Sequence, residues 1–314
     1  MKIGLIGCGS WGRKHGQTLS VLGVLGAVAD VDPARSGALA SDLNCVALDV
    51  NDLIGDPSLD GIVIAVPPML QAALAMQVIA AGKNIMIEKP IALCQVEARA
   101  IEAASEIAGV VAMVGHLIRY HPAFEAIEAL IAQGTLGEVR HIVTQRYSFG
   151  RFPDGTDAAF DLLPHDLSLV YALTGSLAGD VCWNGRTVLS GLYDLGELWI
   201  DFKNGMTASC SISRVSPERK RLLIVQGSKA SIVFDDEKDW ATKLCVSRYD
   251  SALSALSNSP TITIPVPLIP IAPLEAELVH FIDCITTGAR PRTPVAEGRE
   301  VIDLLCSLRD MKSY

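Results

Sequence analysis

Over its first 117 residues the chain alternates short, continuous apolar runs with longer stretches in which apolar positions recur at helical spacing. The runs at 2–6, 25–29, 61–65, 84–87 and 110–115 predict strands, and the stretches at 11–22, 69–81 and 95–108 predict the helices between them. Strands that are apolar at every position, rather than at every second one, belong to a sheet covered on both faces. The fold class that follows is α/β, a doubly wound parallel sheet.

Beyond residue 117 the pattern changes. A helix is predicted over 122–133. Segments rich in β-branched and aromatic residues follow at 139–149, 181–189, 196–202, 206–214, 222–226 and 231–234, punctuated by turn signals such as Lys203-Asn204-Gly205 and Gln226-Gly227-Ser228. With only one helix among them, over 164–173, these strands predict a largely antiparallel, open-faced sheet in an α+β domain. A proline-rich stretch at 260–273 leads to two terminal helices, 274–286 and 296–308. The expected organisation is a nucleotide-binding Rossmann domain over 1–118 and a substrate-binding and oligomerisation domain over 119–314, whose terminal helices are free to pack back on the first.

The first strand runs into Gly7-Cys8-Gly9-Ser10-Trp11-Gly12. In a strand-turn-helix context this spacing suits a dinucleotide. Gly7 permits the tight turn, Gly9 lets a pyrophosphate approach the backbone, Gly12 lets the helix pack on the sheet, and the phosphate charge falls at the helix N-terminus. Asp30 stands 18 residues after Gly12 at the end of the second strand, where a carboxylate accepts both hydroxyls of the adenine ribose. It would repel a 2′-phosphate, and Val31 and Asp32 offer no arginine to receive one. The cofactor expected is NAD rather than NADP.

Composition narrows the partners. A net charge of -9 disfavours a nucleic-acid partner. No apolar run reaches the roughly 18 residues of a membrane span, and Leu5-Ile6-Gly7-Cys8 reads as a buried strand rather than a lipoprotein signal. The eight cysteines form no CxxC and no ligand cluster, which fits free thiols in a reducing cytoplasm and no metal site.

Two further groups carry candidate chemistry. Lys89, in Glu88-Lys89-Pro90, ends a strand on the sheet edge where ligands bind; beside a nicotinamide it can stabilise the alkoxide that hydride loss requires. Pro90 fixes the loop, and a cis bond before it would aim the lysine into the cleft. In Asp161-Leu162-Leu163-Pro164-His165-Asp166, a helix beginning near Asp161 puts Pro164 in its tolerated first turn and Asp161 and His165 on one face. The pair reads either as an oriented general base or as a helix cap beside a structural histidine. Arg119, Arg140, Arg146, Arg151 and Arg214 read either as surface charge or as guanidinium groups suited to a diphosphate, with Arg146 and Arg151 nearest the cluster.

Together Gly7 to Gly12, Glu88-Lys89-Pro90 and the Asp161 to His165 spacing resemble the glucose-fructose oxidoreductase and inositol dehydrogenase (Gfo/Idh/MocA) family along the whole chain. The resemblance implies that Lys89, Asp161 and His165 meet at the substrate and that Ala65-Val66-Pro67-Pro68 is the loop over the cofactor. It also implies that Arg119-Tyr120-His121-Pro122 opens the second domain. The implied cofactor contacts are Gly7, Gly9, Ser10, Trp11, Gly12, Asp30, Val66, Pro67, Glu88 and Lys89; the implied substrate contacts are Lys89, Arg119, Arg146, Arg151, Asp161 and His165. The finer likeness is to members that oxidise C3 of UDP-N-acetylglucosamine or its uronate. Two positions depart from the pattern: Gln71 stands where many members have histidine, and Arg214 where that branch often has tryptophan. The expected activity is NAD-dependent hydride transfer at a secondary hydroxyl of a sugar nucleotide. Its alternatives are a dehydrogenase of free sugars, inositols or sugar phosphates, and a non-catalytic NAD-binding sensor. The exposed sheet implies a homodimer or homotetramer.

Overall fold

The computed structural model describes residues 1–150, 155–249 and 261–311, so Arg151 lies outside the described residues. The chain forms two compact units, Met1–Leu117 with Ala272–Cys306, and Ile118–Ile271 with the segment from Ser307. Most of the terminal segment expected within 119–314 is thus grouped with the first unit.

That unit contains β1 (Ile3–Ile6), α1 (Ser10–Val21), β2 (Leu25–Ala29), α2 (Pro33–Leu43), β3 (Val46–Ala47), α3 (Val50–Gly55), β4 (Gly61–Ile64), α4 (Pro68–Ala80), β5 (Asn84–Glu88), α5 (Gln95–Ala108) and β6 (Ala112–Gly115). The strands pair in parallel in the order β3-β2-β1-β4-β5-β6. Ile3, Leu5, Ile62, Val63, Met86 and Ile87 are all fully buried, the double-sided burial their continuous apolar pattern predicts. The order reverses between β1 and β4, so the loops leaving these two strands stand side by side at the switch point where open α/β sheets bind ligands. The short elements α2, β3 and α3 lack a strong periodicity and rest on caps: Asp32 accepts from the Ala34 amide at 3.0 Å with Pro33 in the first turn, and Asp49 accepts from the Asn51 amide at 2.9 Å.

The second unit holds α6 (Pro122–Ala132), β7 (Val139–Phe149), α7 (Ala158–Thr174), β8 (Gly179–Arg186), β9 (Leu195–Phe202), β10 (Thr207–Ser213), β11 (Val215–Gly227), β12 (Ala230–Asp235), β13 (Leu244–Tyr249) and β14 (Thr261–Pro265). Its sheet runs β14-β13-β12-β11-β7-β10-β9-β8. Every pair is antiparallel except the parallel pair β7 and β10 at its centre. One face packs on α7 through β7, β9 and β10, with Ile142, Leu198, Ile200, Ala208 and Ile212 buried. The other face is mixed rather than continuously apolar. Tyr147 Oη lies 2.7 Å from Ser211 Oγ, Ser211 donates to Glu197 at 2.5 Å, and His141 Nδ1 lies 2.6 Å from Thr207 Oγ1. After β14 the chain continues into α8 (Pro273–Thr287) and α9 (Val295–Asp310).

Two expectations need correcting. Helix α7 starts at Ala158, not near Asp161 or Pro164, because Asp157 caps it by accepting from the Phe160 amide at 2.9 Å. Pro164 therefore sits inside the helix, where it gives up one backbone bond. The proline-rich stretch, in turn, contributes the edge strand β14, which among the described residues pairs only with β13 and ends on Pro265, a position an edge tolerates. Among the described residues no helix is long and apolar enough to cross a membrane.

Candidate active site

The loop between β1 and α1 is shaped by what its glycines leave out. Gly7 has φ +100°, a region costly for any side chain, and a Cβ there would lie 2.4 Å from the Ala65 carbonyl oxygen. At Gly9 a Cβ would meet nothing within 4 Å, so the space over this residue is open to a ligand. Gly12 serves a purpose different from the one expected. Its Cβ would fall 1.8 Å from the Gly7 carbonyl oxygen, so its hydrogen lets the first turn of α1 close on the loop rather than letting the helix approach the sheet.

Gly9 caps α1 without a side chain and no acid lies in the first turn, which leaves the positive end of the helix to an anion around Ser10, Trp11 and Gly12. Asp30 Oδ2 accepts from the Cys8 amide at 2.7 Å and Oδ1 from the Asp32 amide at 2.9 Å. This orients the carboxylate while leaving it lone pairs for hydroxyls. Burial, with the Asp30 charge beside it, pushes the Cys8 thiol up to about 12, so this cysteine stays protonated and is no nucleophile. Val66 is half-buried and Pro67 exposed on the neighbouring loop, which Gln71 braces by donating to the Val66 carbonyl at 3.2 Å. The open space at Gly9, the uncapped helix end and the oriented carboxylate fit NAD.

Lys89 follows β5 directly, is half-buried, and joins Pro90 through a cis peptide bond. Glu88, expected among the cofactor contacts, bonds to groups of its own unit. The residue is 7% exposed; Oε1 accepts from Trp11 Nε1 and lies 2.6 Å from His15 Nε2, while Oε2 accepts from the Lys89 amide at 3.3 Å. Gly115 makes room, since a Cβ there would crowd the Glu88 carboxyl at 3.0 Å. Glu88 thus ties the cofactor-loop helix to the strand end carrying Lys89.

Glu277 of α8 is fully buried, and among the described residues neither of its oxygens has a hydrogen-bond partner. Burial, and then the Glu88 charge, push its carboxyl well above the ordinary 4.5, so it is held neutral in the fold. The unfolded chain releases this proton above about pH 4.5 while the folded chain retains it. Stability is therefore lost as pH rises from there to the folded pKa, at about 1.4 kcal/mol per pH unit. Glu277→Gln removes that cost. Urea unfolding should show it equal to the parent at pH 4 and more stable at pH 8; a constant difference between the two would remove Glu277 as the cause.

In the second unit Asp161 and His165 are half-buried and lie one turn apart on α7, while Leu163, Leu167 and Val170 are buried on the helix. Three of the candidate arginines have partners inside the fold. Arg146 is 11% exposed at its side chain and binds Asp166 through Nη2 at 2.8 Å and Nε at 3.1 Å. Arg119 is 5% exposed and donates to the Ser168 carbonyl at 3.4 Å. Arg214 is 2% exposed and pairs with Asp194 at 3.0 Å. A buried guanidinium requires such partners. Arg140, by contrast, is two-thirds exposed, 3.6 Å from Glu138.

Residues 1–116 match the oxidoreductase family described as an NAD-binding Rossmann fold, and residues 124–233 match the GFO/IDH/MocA C-terminal domain. The chain is 31% identical over 238 residues, 74% of each sequence, to UDP-N-acetylglucosamine 3-dehydrogenase of Acidithiobacillus ferrooxidans. It is 32% identical over 179 residues to an inositol 2-dehydrogenase of Acidothermus cellulolyticus, covering 54% of this chain and 52% of that one. A solved structure of the Acidithiobacillus ferrooxidans enzyme superposes with a TM-score of 0.89 at 27% identity, over 99% of this chain and 96% of that one.

Proposed function

This chain belongs to the Gfo/Idh/MocA family of NAD-binding oxidoreductases acting on CH–OH groups, and from that premise we propose that its substrate is a sugar nucleotide with a secondary hydroxyl to be oxidised, or the matching ketone to be reduced. The observation that carries the sugar-nucleotide reading is the 31% identity to UDP-N-acetylglucosamine 3-dehydrogenase over 74% of both chains. The inositol 2-dehydrogenase likeness favours a second reading, oxidation of a cyclic polyol. Incubation with NAD and a panel of UDP-sugars, free sugars, sugar phosphates and inositols, followed by NADH absorbance, separates them. Turnover of UDP-N-acetylglucosamine or its uronate supports the first reading and turnover of inositols alone the second. Tight NAD binding without turnover of any of them would favour a sensor.

In this reading NAD, when bound, accepts hydride at the nicotinamide C4. His165 takes the hydroxyl proton of the substrate, Asp161 orients the imidazole, and Lys89 donates a hydrogen bond to the developing oxyanion. The uncapped first turn of α1 would hold the pyrophosphate, and Asp30 the adenine ribose. NAD should accordingly bind at least tenfold more tightly than NADP, about 1.4 kcal/mol, and Asp30→Ser should narrow the gap. Calorimetry that finds NADP preferred by the parent protein would overturn this assignment.

A second copy of this chain is the partner this reading assigns to the open face of the second unit's sheet, giving a homodimer or homotetramer. Light scattering at micromolar concentration checks it, and a monomer would refute it. Eight cysteines that are all thiols rather than disulfides favour a reducing cytoplasmic location, which cell fractionation tests.

A further inference from the structure

Arg214 and Asp194 form a charge pair in the second unit, with side chains 2% and 0% exposed. Burying two charges is expensive, and a well-packed apolar pair of similar volume often stabilises a fold as much or more. What an apolar pair lacks is direction. Among the described residues, the bonds of this pair hold particular pieces of backbone and their anchor.

Asp194 Oδ2 accepts from the amides of Val188, Leu189 and Ser190 at 2.8, 2.6 and 3.0 Å, and Oδ1 accepts from Ser190 Oγ at 2.5 Å. The loop between β8 and β9 is therefore wound around one carboxylate. Arg214, next after β10, reads that loop with Nε on Asp194 Oδ1 at 3.0 Å and Nη2 on Ser190 Oγ at 2.7 Å. It then spends Nη1 on the Thr156 carbonyl at 2.7 Å. Thr156 is the residue before the cap of α7, and the same loop returns a second bond to that helix, from the Ala158 amide to the Tyr193 carbonyl at 2.8 Å. Arg309 flanks the turn, its guanidinium carbon 3.9 Å from the centre of the Phe160 ring.

The entry to α7 is thus fixed at two adjacent backbone groups, one of them by a rigid fork that spans three partners. Asp161 and His165 lie one and two turns downstream of Asp157. A helix advances 1.5 Å per residue, and a misplacement of about 1 Å can cost on the order of 10²-fold in rate. We propose that Arg214, held by Asp194, is a positioning residue for the reaction, setting the placement of α7 and so of Asp161 and His165. This rests on the reading that those two residues perform proton transfer.

The test uses the full chain with NAD and UDP-N-acetylglucosamine, or whichever sugar the panel identifies, and compares Arg214→Lys, Asp194→Asn and Ser190→Ala. Lysine keeps a charge opposite Asp194 but cannot span three partners. Arg214→Lys should keep NAD affinity within twofold and lower kcat tenfold or more, with KM changed less than threefold. Amide exchange in peptides covering 155–168 should quicken at least tenfold while the peptide covering Gly7 to Gly12 stays as in the parent. Asp194→Asn should do the same, and Ser190→Ala should lower kcat about threefold. A folded Arg214→Lys with parental kcat and parental exchange at 155–168 overturns the proposal. If Arg214→Lys does not fold, parental kcat in both other variants overturns it. His165→Ala separates the two levels: parental turnover there removes the reading of α7 itself, whereas its loss alongside a parental Arg214→Lys removes only the positioning role.

Discussion

Lys89→Ala and His165→Ala are each expected to lower turnover by about 100-fold or more while NAD affinity stays within twofold of the parent. A positioned acid or base contributes roughly 10²- to 10⁴-fold, and each substitution deletes the group outright. The pyrophosphate and the adenine ribose, which would supply most of the NAD affinity, are assigned elsewhere, to the open space over Gly9, the uncapped start of α1 and the Asp30 carboxylate. Binding and chemistry should therefore separate, with a fall in kcat and little change in NAD titration. Asp161→Asn should be milder than His165→Ala, because it weakens orientation without removing the base. Pre-steady-state measurement of NADH formation on the identified substrate provides the check. Near-parental turnover in both alanine variants would return Lys89 and His165 to structural roles and bring the sensor reading forward.

The first unit was legible because its physics is local and repetitive. A parallel sheet buried on both faces writes itself as unbroken apolar runs, and β2 and α5 begin and end where the pattern puts them. The start of α7 was not, because two local signals compete there. Pro164 invites a first-turn placement, but Asp157 binds the Phe160 amide and starts the helix earlier. Two of the buried arginines were hidden for another reason: Arg146 finds Asp166, and Arg214 finds Asp194, each 20 residues away. No periodicity encodes such pairings, and in sequence these residues look like surface charge. Glu88 ends a strand buried at all but its first position, so strand parity could not say whether it faces cofactor or core. The structure turns it toward Trp11 and His15.

Gly12→Ala should reduce NAD affinity thirtyfold or more, about 2 kcal/mol, and lower the melting temperature. Propensity alone predicts the opposite, since alanine in a helix is favoured over glycine by roughly 1 kcal/mol. Space decides the sign. A Cβ at Gly12 would stand 1.8 Å from the Gly7 carbonyl oxygen and 2.8 Å from its carbon. Both are backbone atoms, so no side-chain rotation relieves the contact. Gly7 is itself packed on the neighbouring loop, where a Cβ on it would lie 2.4 Å from the Ala65 carbonyl oxygen. The contact pushes the first turn of α1 away, and with it the amides proposed to hold the pyrophosphate. Overpacking of this kind costs roughly 1–3 kcal/mol or more. Gly37 is the internal control, for it lies exposed within α2 and a Cβ there meets nothing within 4 Å. Gly37→Ala should leave NAD binding unchanged and raise stability by roughly 0.5–1 kcal/mol. Calorimetric titration with NAD and thermal melts of the two variants, side by side, distinguish space from propensity, and parental NAD affinity in Gly12→Ala would show that the loop does not need its present closure to hold the cofactor.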